Sequence, residues 1–244
     1  MSRSSILSIK GVTKMFGGLV AVDSVSFNVN ENEVTGLIGP NGSGKTTMIN
    51  LITGAIKLSA GLITFEGRRI SGMSPQKISQ LGVCRTFQLV RMLPSLSVLE
   101  NVIAGAVFGH VRRWGRFAEE HARRMLSRVG LEKKEQAPVS ALTYIDQKRL
   151  ELARVLASDP EILLLDEWLA GLNPTELETG ISLIRELRDE GKTILLVEHM
   201  VDAIRSLCDT CIVMNSGRKI AAGIPAEVLS DREVIRAYLG DDDA

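Results

Sequence analysis

The chain has 244 residues, 45% of them hydrophobic, 24% charged and 4% aromatic. A polypeptide of this length buries a core without disulfides or metals, which excludes a stapled mini-protein and a disordered chain. Lys plus Arg total 29 and Asp plus Glu total 29, so bulk charge does not hold this protein to nucleic acid or lipid; any anion it binds needs a local site.

Residues 1–10 contain no apolar h-region, and nowhere do roughly 18 apolar residues run together, so neither a signal peptide nor a membrane span is expected. The expected location is the cytosol or a docked position on a membranous partner.

Apolar, β-rich runs fall at 6–9, 20–29, 34–38, 62–65, 162–165, 194–197 and 211–214, with helical patterns between several of them. This alternation predicts an α/β architecture with parallel strands at its centre. Helix starts are legible at Ser74-Pro75, at the capping box Ser97-Val-Leu-Glu100 and at Asn173-Pro174-Thr-Glu176. Gly191 closes the last of these helices. From about 88 to 158 the strand signal disappears, and a helical lobe is expected there, including a basic segment at 112–116 and a Leu/Ala-rich stretch at 142–157. The Asn215-Ser-Gly217 turn predicts a short edge hairpin, and the acidic run at 241–243 a solvated tail. Cys208 and Cys211 read as ordinary packing, since no second pair or His cluster completes a metal or redox motif.

Residues 39–46, Gly-Pro-Asn-Gly-Ser-Gly-Lys-Thr, fit G-x-x-x-x-G-K-[ST] between a strand and a helical run. Gly39, Pro40, Asn41, Gly42, Ser43 and Gly44 let backbone N–H groups turn inward at a helix N-terminus. Lys45 can neutralise β/γ-phosphate charge, and the Thr46 hydroxyl, with Thr47 beside it, is placed to meet a magnesium nucleotide. This is the local anion site a neutral chain demands. The apolar strand at 162–165 delivers Asp166 to the Mg²⁺ shell. Glu167, one residue on, is a candidate general base for hydrolysis. The strand at 194–197 brings His199 to the same edge, where it can meet the γ-phosphate.

Taken together, these motifs resemble the ATP-binding cassette (ABC) ATPases over essentially the whole chain. The resemblance implies a P-loop NTPase fold: a mostly parallel central sheet, an N-terminal antiparallel β subdomain and an inserted helical subdomain. It divides the single domain 1–244 into a core (1–87 and 159–244) and a helical part (88–158). Phe16 matches the aromatic position that stacks on adenine. Gln88, ending Cys84-Arg-Thr-Phe-Gln88, matches the glutamine that touches Mg²⁺ and water and relays nucleotide state to a transmembrane partner. Leu142-Thr-Tyr-Ile-Asp-Gln147 aligns with the signature Leu-Ser-Gly-Gly-Gln. By that alignment Thr143, Tyr144, Ile145 and Asp146 serve the ATP of a partner cassette, with Thr143 capping the signature helix. Ala170-Gly-Leu-Asn173 matches the D-loop and His199 the switch histidine.

Three departures stand out. Ile145 fills the usual second glycine, Asp146 replaces Gln and so puts an anion near the partner's γ-phosphate, and Trp168 stands where the family has Pro. The segments Arg-Thr-Phe-Gln, Ala-Gly-Leu-Asn-Pro and Val234-Ile-Arg-Ala-Tyr-Leu-Gly240 further resemble the branched-chain amino-acid importer subgroup. That implies ATP and Mg²⁺ as cofactors, two transmembrane permease subunits, a second ABC ATPase subunit and, indirectly, an extracytoplasmic solute-binding protein. The chain would then sit peripherally on the cytoplasmic face of the membrane and bind no nucleic acid. Two alternatives stay open: a soluble, non-transport ABC ATPase, and a hydrolysis-poor regulatory subunit motivated by Ile145.

Overall fold

In the computed structural model, which describes residues 4–88 and 90–239, β1 (Ser5–Phe16), β2 (Leu19–Asn30) and β3 (Val34–Ile38) come first. They are followed by α1 (Lys45–Ile52), β4 (Ala60–Phe65), β5 (Arg68–Arg69), α2 (Pro75–Gln80) and β6 (Val83–Arg85). Next come α3 (Val98–Phe108), α4 (Gly115–Arg128) and α5 (Tyr144–Leu156). Then β7 (Ile162–Asp166), α6 (Pro174–Asp189), β8 (Thr193–Val197), α7 (Val201–Leu207), β9 (Thr210–Asn215), β10 (Arg218–Gly223), α8 (Pro225–Val228) and α9 (Arg232–Leu239) complete the order. The tail expected at 241–243 lies outside the described residues.

The strands form two sheets. One is antiparallel in the order β2-β1-β4-β5, and the other runs β10-β9-β3-β8-β7-β6. In the second sheet β9, β3, β8, β7 and β6 are parallel, and only β10 is antiparallel, closing the edge through the 215–217 turn. Every residue of β3, β7 and β8 is buried, because a parallel sheet is covered on both faces. Their uninterrupted apolar runs therefore split by parity. Ile162 and Leu164 join the cluster shared with the antiparallel sheet and α1, while Leu163 and Leu165 join the one beneath the helical insert. Cutting Leu164 to Ala is a core deletion of the kind that costs about 2–5 kcal/mol.

Between β6 and β7 the chain is helical, with α3, α4 and α5 packed on one another. Gly105 of α3 lies so close to α5 that a Cβ there would sit 2.1 Å from the Arg154 carbonyl oxygen. The capping boxes at Ser97 and Asn173 are both formed, and Gly191, at φ +84°, closes α6. Two details differ from the sequence reading. β6 carries too few residues to show a period and was not expected. The basic segment 112–116 straddles a loop and the start of α4, which begins only at Gly115. Cys208 and Cys211 are buried and unpaired, and burial pushes both thiols up, Cys211 to about 11. Among the described residues no helix is long and apolar enough to cross a membrane.

Candidate active site

The turn from β3 into α1 wraps an anion-sized cradle. Gly39 has φ +147°, and a Cβ there would lie 2.1 Å from the Met214 carbonyl oxygen, so only glycine fits between β3 and β9. The loop is braced from behind: Gly217 N donates to Ser43 O at 3.0 Å, and Asp23 N donates to Gly217 O at 2.8 Å. Lys45 is buried, and its Nζ donates to the carbonyls of Gly39 at 2.8 Å and Pro40 at 2.9 Å. Burial lowers its pKa, against the opposing pull of Glu167 and Asp166. Asn41, Gly42 and Thr46 are exposed at the mouth, with Thr47 half-buried behind them. Phe16, 48% exposed, ends β1 opposite Leu19. It tips the hairpin whose Ala21 carbonyl abuts Gly44.

Parallel register assembles the rest. Leu37 pairs with Val197 and Asp166 also pairs with Val197, so the residues just beyond β3, β7 and β8 meet along one sheet edge. Asp166 is buried; its Oδ2 takes the Arg85 guanidinium at 2.9 Å, and its Oδ1 has no hydrogen-bond partner among the described residues. Burial raises this carboxyl's pKa, with Arg85 opposing. Glu167 follows at φ +50°, a left-handed backbone for a non-glycine residue, the kind of strain that gathers at functional sites. Its Oε2 accepts from Gln88 Nε2 at 2.7 Å. His199 is exposed two positions past β8, on the same edge as Gly39.

Four residues that sequence reasoning passed over hold these groups in place. Arg85 grips Asp166 and also donates to Asn50 at 2.7 Å. Lys148, buried in α5, donates to the carbonyls of Trp168 at 3.0 Å and Ala170 at 2.5 Å, with Glu167 O at 3.5 Å. From the opposite side the buried Glu198 carboxylate accepts from Leu169 N at 2.8 Å. Glu151, also on α5, accepts from Phe87 N and Arg91 N, each at 3.3 Å, fixing the backbone on both sides of Gln88. A charged residue between two leucines was the available signal for Glu151; Lys148, between Gln147 and Arg149, carried none.

The signature segment opens α5 with Thr143 as N-cap, its Oγ1 accepting from Asp146 N at 3.3 Å. Tyr144 is 52% exposed and Ile145 partly so. Asp146, expected to put an anion near the partner's γ-phosphate, has partners within its own chain. It is buried, and its Oδ2 accepts from Lys134 Nζ at 2.5 Å and from Thr143 Oγ1 at 2.9 Å. Burial opposes ionisation, but Lys134 and Thr143 together hold its pKa below the ordinary value. Trp168 is buried as well, its Nε1 donating to Lys148 O at 3.3 Å. Ile145 and Trp168 line the same cavity of about 270 Å³ between α4, α5 and α6.

A P-loop, a buried carboxylate with a free oxygen, a second carboxylate joined to Gln88 and a capped signature helix are thus present in one chain. A family model described as "ABC transporter" matches residues 22–170. The chain belongs to the ABC transporter family. A second model, "Branched-chain amino acid ATP-binding cassette transporter", matches residues 218–244. The high-affinity branched-chain amino acid transport ATP-binding protein LivG of Salmonella typhimurium is 40% identical over 97% of this chain and 98% of its own length. The corresponding protein BraF of Pseudomonas aeruginosa is 40% identical over 99% and 100%. Among solved structures, the ADP conformation of an ATP-binding cassette of an ABC transporter superposes with a TM-score of 0.88 at 32% identity, covering 98% of this chain and all of that one. The two sheets and the helical insert are those of an ABC cassette.

Proposed function

We propose that this cassette binds and hydrolyses ATP to power an importer of branched-chain or related amino acids. The observation that carries the reading is the near full-length identity to two branched-chain amino acid transport ATP-binding proteins, joined by the match of the C-terminal segment.

In this reading the triphosphate lies in the loop from Gly39 to Thr47 with the adenine against Phe16. Lys45 turns from the carbonyls it now holds to the β- and γ-phosphates. Thr46, Asp166 and Gln88 would hold Mg²⁺, and the buried Asp166 Oδ1, without a hydrogen-bond partner among the described residues, is an oxygen donor that suits that ion. When bound, Mg²⁺ neutralises charge on the β- and γ-phosphates. Glu167 accepts the proton of the attacking water as the new P–O bond forms and the bond to the bridging oxygen breaks, giving ADP and phosphate. Gln88 orients the Glu167 carboxylate, and His199 donates to a γ-phosphate oxygen.

Thr143 to Asp146 cannot reach this chain's own P-loop in the reading; they close over the nucleotide of a second ATPase subunit. The working unit is a head-to-tail dimer beneath two permeases, with a solute-binding protein on the far side. A cavity of about 480 Å³ between core and insert, lined by Phe87, Arg91, Leu93, Gly105 and Phe108, supports a permease seat beside Gln88. The test is co-purification of the complex and reconstitution in vesicles. Leucine uptake that requires ATP and vanishes with Glu167→Gln supports the function. A chain that recovers no permease, or uptake indifferent to Glu167, overturns it.

A further inference from the structure

We propose that the corner between α3 and α4 docks on the anionic headgroups of a phospholipid bilayer. The proposal goes beyond the transport function and takes from it only the side of the cassette that faces the membrane.

Residues 108–117 read Phe-Gly-His-Val-Arg-Arg-Trp-Gly-Arg-Phe. Their large apolar side chains point outward: Trp114 is 63% exposed, Phe117 67% and Phe108 71%. Hydrogen bonds tie the backbone of this segment to its neighbours. His110 N donates to Ser158 O at 3.0 Å, Arg113 N to Ala106 O at 2.9 Å, and the His110 ring pairs with Gln80 O at 2.9 Å. Arg112, Arg113, Trp114, Phe117, Glu120 and Arg124 line a concavity of about 450 Å³.

The charge of this corner is lopsided in a chain that is neutral overall. Glu120 is engaged by Arg116 at 3.4 Å, and Asp159, beneath the corner, by Arg113. Arg112 has no ion pair or hydrogen bond among the described residues, and Arg124 meets only the His121 ring nitrogen at 3.3 Å. Guanidinium groups pair bidentately with phosphate, and aromatic rings settle at headgroup depth, so arginines interleaved with Trp and Phe suit a membrane interface. A protein partner would have to supply carboxylates matched to these arginines, whereas an anionic leaflet offers phosphates at any lateral position. Phe108 also lines the cavity between core and insert, so the corner adjoins the seat proposed for a permease.

The test is flotation of the full chain with vesicles of phosphatidylcholine alone or with added phosphatidylglycerol, at low and high salt. Binding to the anionic vesicles only, weakened by salt, is expected. Arg112→Ala should weaken it roughly fivefold, and Arg112→Glu with Arg124→Glu should abolish it. Trp114→Ala should weaken it while leaving the salt dependence intact. These side chains are exposed, and an unchanged melting temperature verifies folding. No binding, equal binding to neutral vesicles, or indifference to the arginine variants overturns the proposal. Variants that keep vesicle binding but lose permease co-purification make the corner a permease contact and also overturn it. A chain that floats with anionic vesicles yet recovers no permease sustains this inference while refuting the transport function, so the two fail separately.

Discussion

Gln88 Nε2 donates to Glu167 Oε2 at 2.7 Å across 79 positions of sequence. The bond joins the start of the helical insert to the carboxylate just past the end of β7, so a shift of the insert against the core moves the group proposed as general base. Glu167→Gln keeps the side chain's size and removes its basicity. ATP turnover by the assembled complex should fall at least about a hundredfold, within the usual range for losing a general base, while binding of a fluorescent ATP analogue persists. Gln88→Ala should lower turnover less and weaken its stimulation by permeases. Equal turnover in Glu167→Gln and wild type would remove Glu167 from the chemistry.

Lys148 ties the signature helix to the turn that follows Glu167 through the carbonyls of Trp168 and Ala170. Lys148→Met leaves these carbonyls without their donor and removes a positive charge that acts on Glu198. The expected loss of stability is about 1.5–3 kcal/mol, as for losing hydrogen bonds made by a charged group, read as a lowered midpoint in urea. In the complex kcat should drop with KM for ATP unchanged, because the P-loop is untouched. Lys148→Arg should recover part of both effects.

Much of this site was legible in the sequence, for a physical reason. The strand at 162–165 is apolar at every position because both its faces are covered, and its abrupt end in Asp166-Glu167 marks the sheet edge. The P-loop likewise announces itself through glycines that backbone geometry enforces at Gly39. What stayed hidden was long-range or short-lived in the chain. β6 is too brief to show a period, yet its pairing of Arg85 with Leu164 is what carries Gln88 to Glu167. Lys148 and Glu198 look like ordinary charged residues until the fold brings them to either side of one turn. The direction in which Asp146 points depends on Lys134, an i−12 neighbour that helical periodicity does not connect to it.

Glu198 predicts a pH dependence. Burial pushes its carboxyl up to about 7, against an ordinary value of 4.5. Between these values the folded chain holds a proton that the unfolded chain releases, so stability falls as pH rises through this window, and the loss is complete above about 7. Its size is on the order of 3 kcal/mol. Glu198→Gln keeps an acceptor for Leu169 N and has no proton to lose. Its denaturation midpoint should match the wild type near pH 5 and exceed it near pH 8. Parallel curves for the two proteins across that range would refute the assignment.

Ile145 and Trp168 depart from the family pattern at two places far apart in sequence, and the fold sets both around one cavity of about 270 Å³. The indole packs close to Gly180, where a Cβ would come within 3.1 Å of the ring, and its Nε1 donates to Lys148 O in the signature helix. The two changes are therefore expected to act as a unit that props the start of α5. Ile145→Gly alone enlarges the cavity and frees the first turn of the helix, while Trp168→Pro alone removes the prop and the hydrogen bond. Each should destabilise the fold, and the double variant should cost less than the sum of the singles, with a coupling of at least about 0.5 kcal/mol in a double-mutant cycle. The same four proteins, assembled with the partner ATPase, separate a working signature from a weak one. ATP turnover that rises only when both positions carry the family residues would show that Ile145 limits the partner's site and that Trp168 holds it there. Additive stabilities together with unchanged turnover would reduce the pair to two independent substitutions.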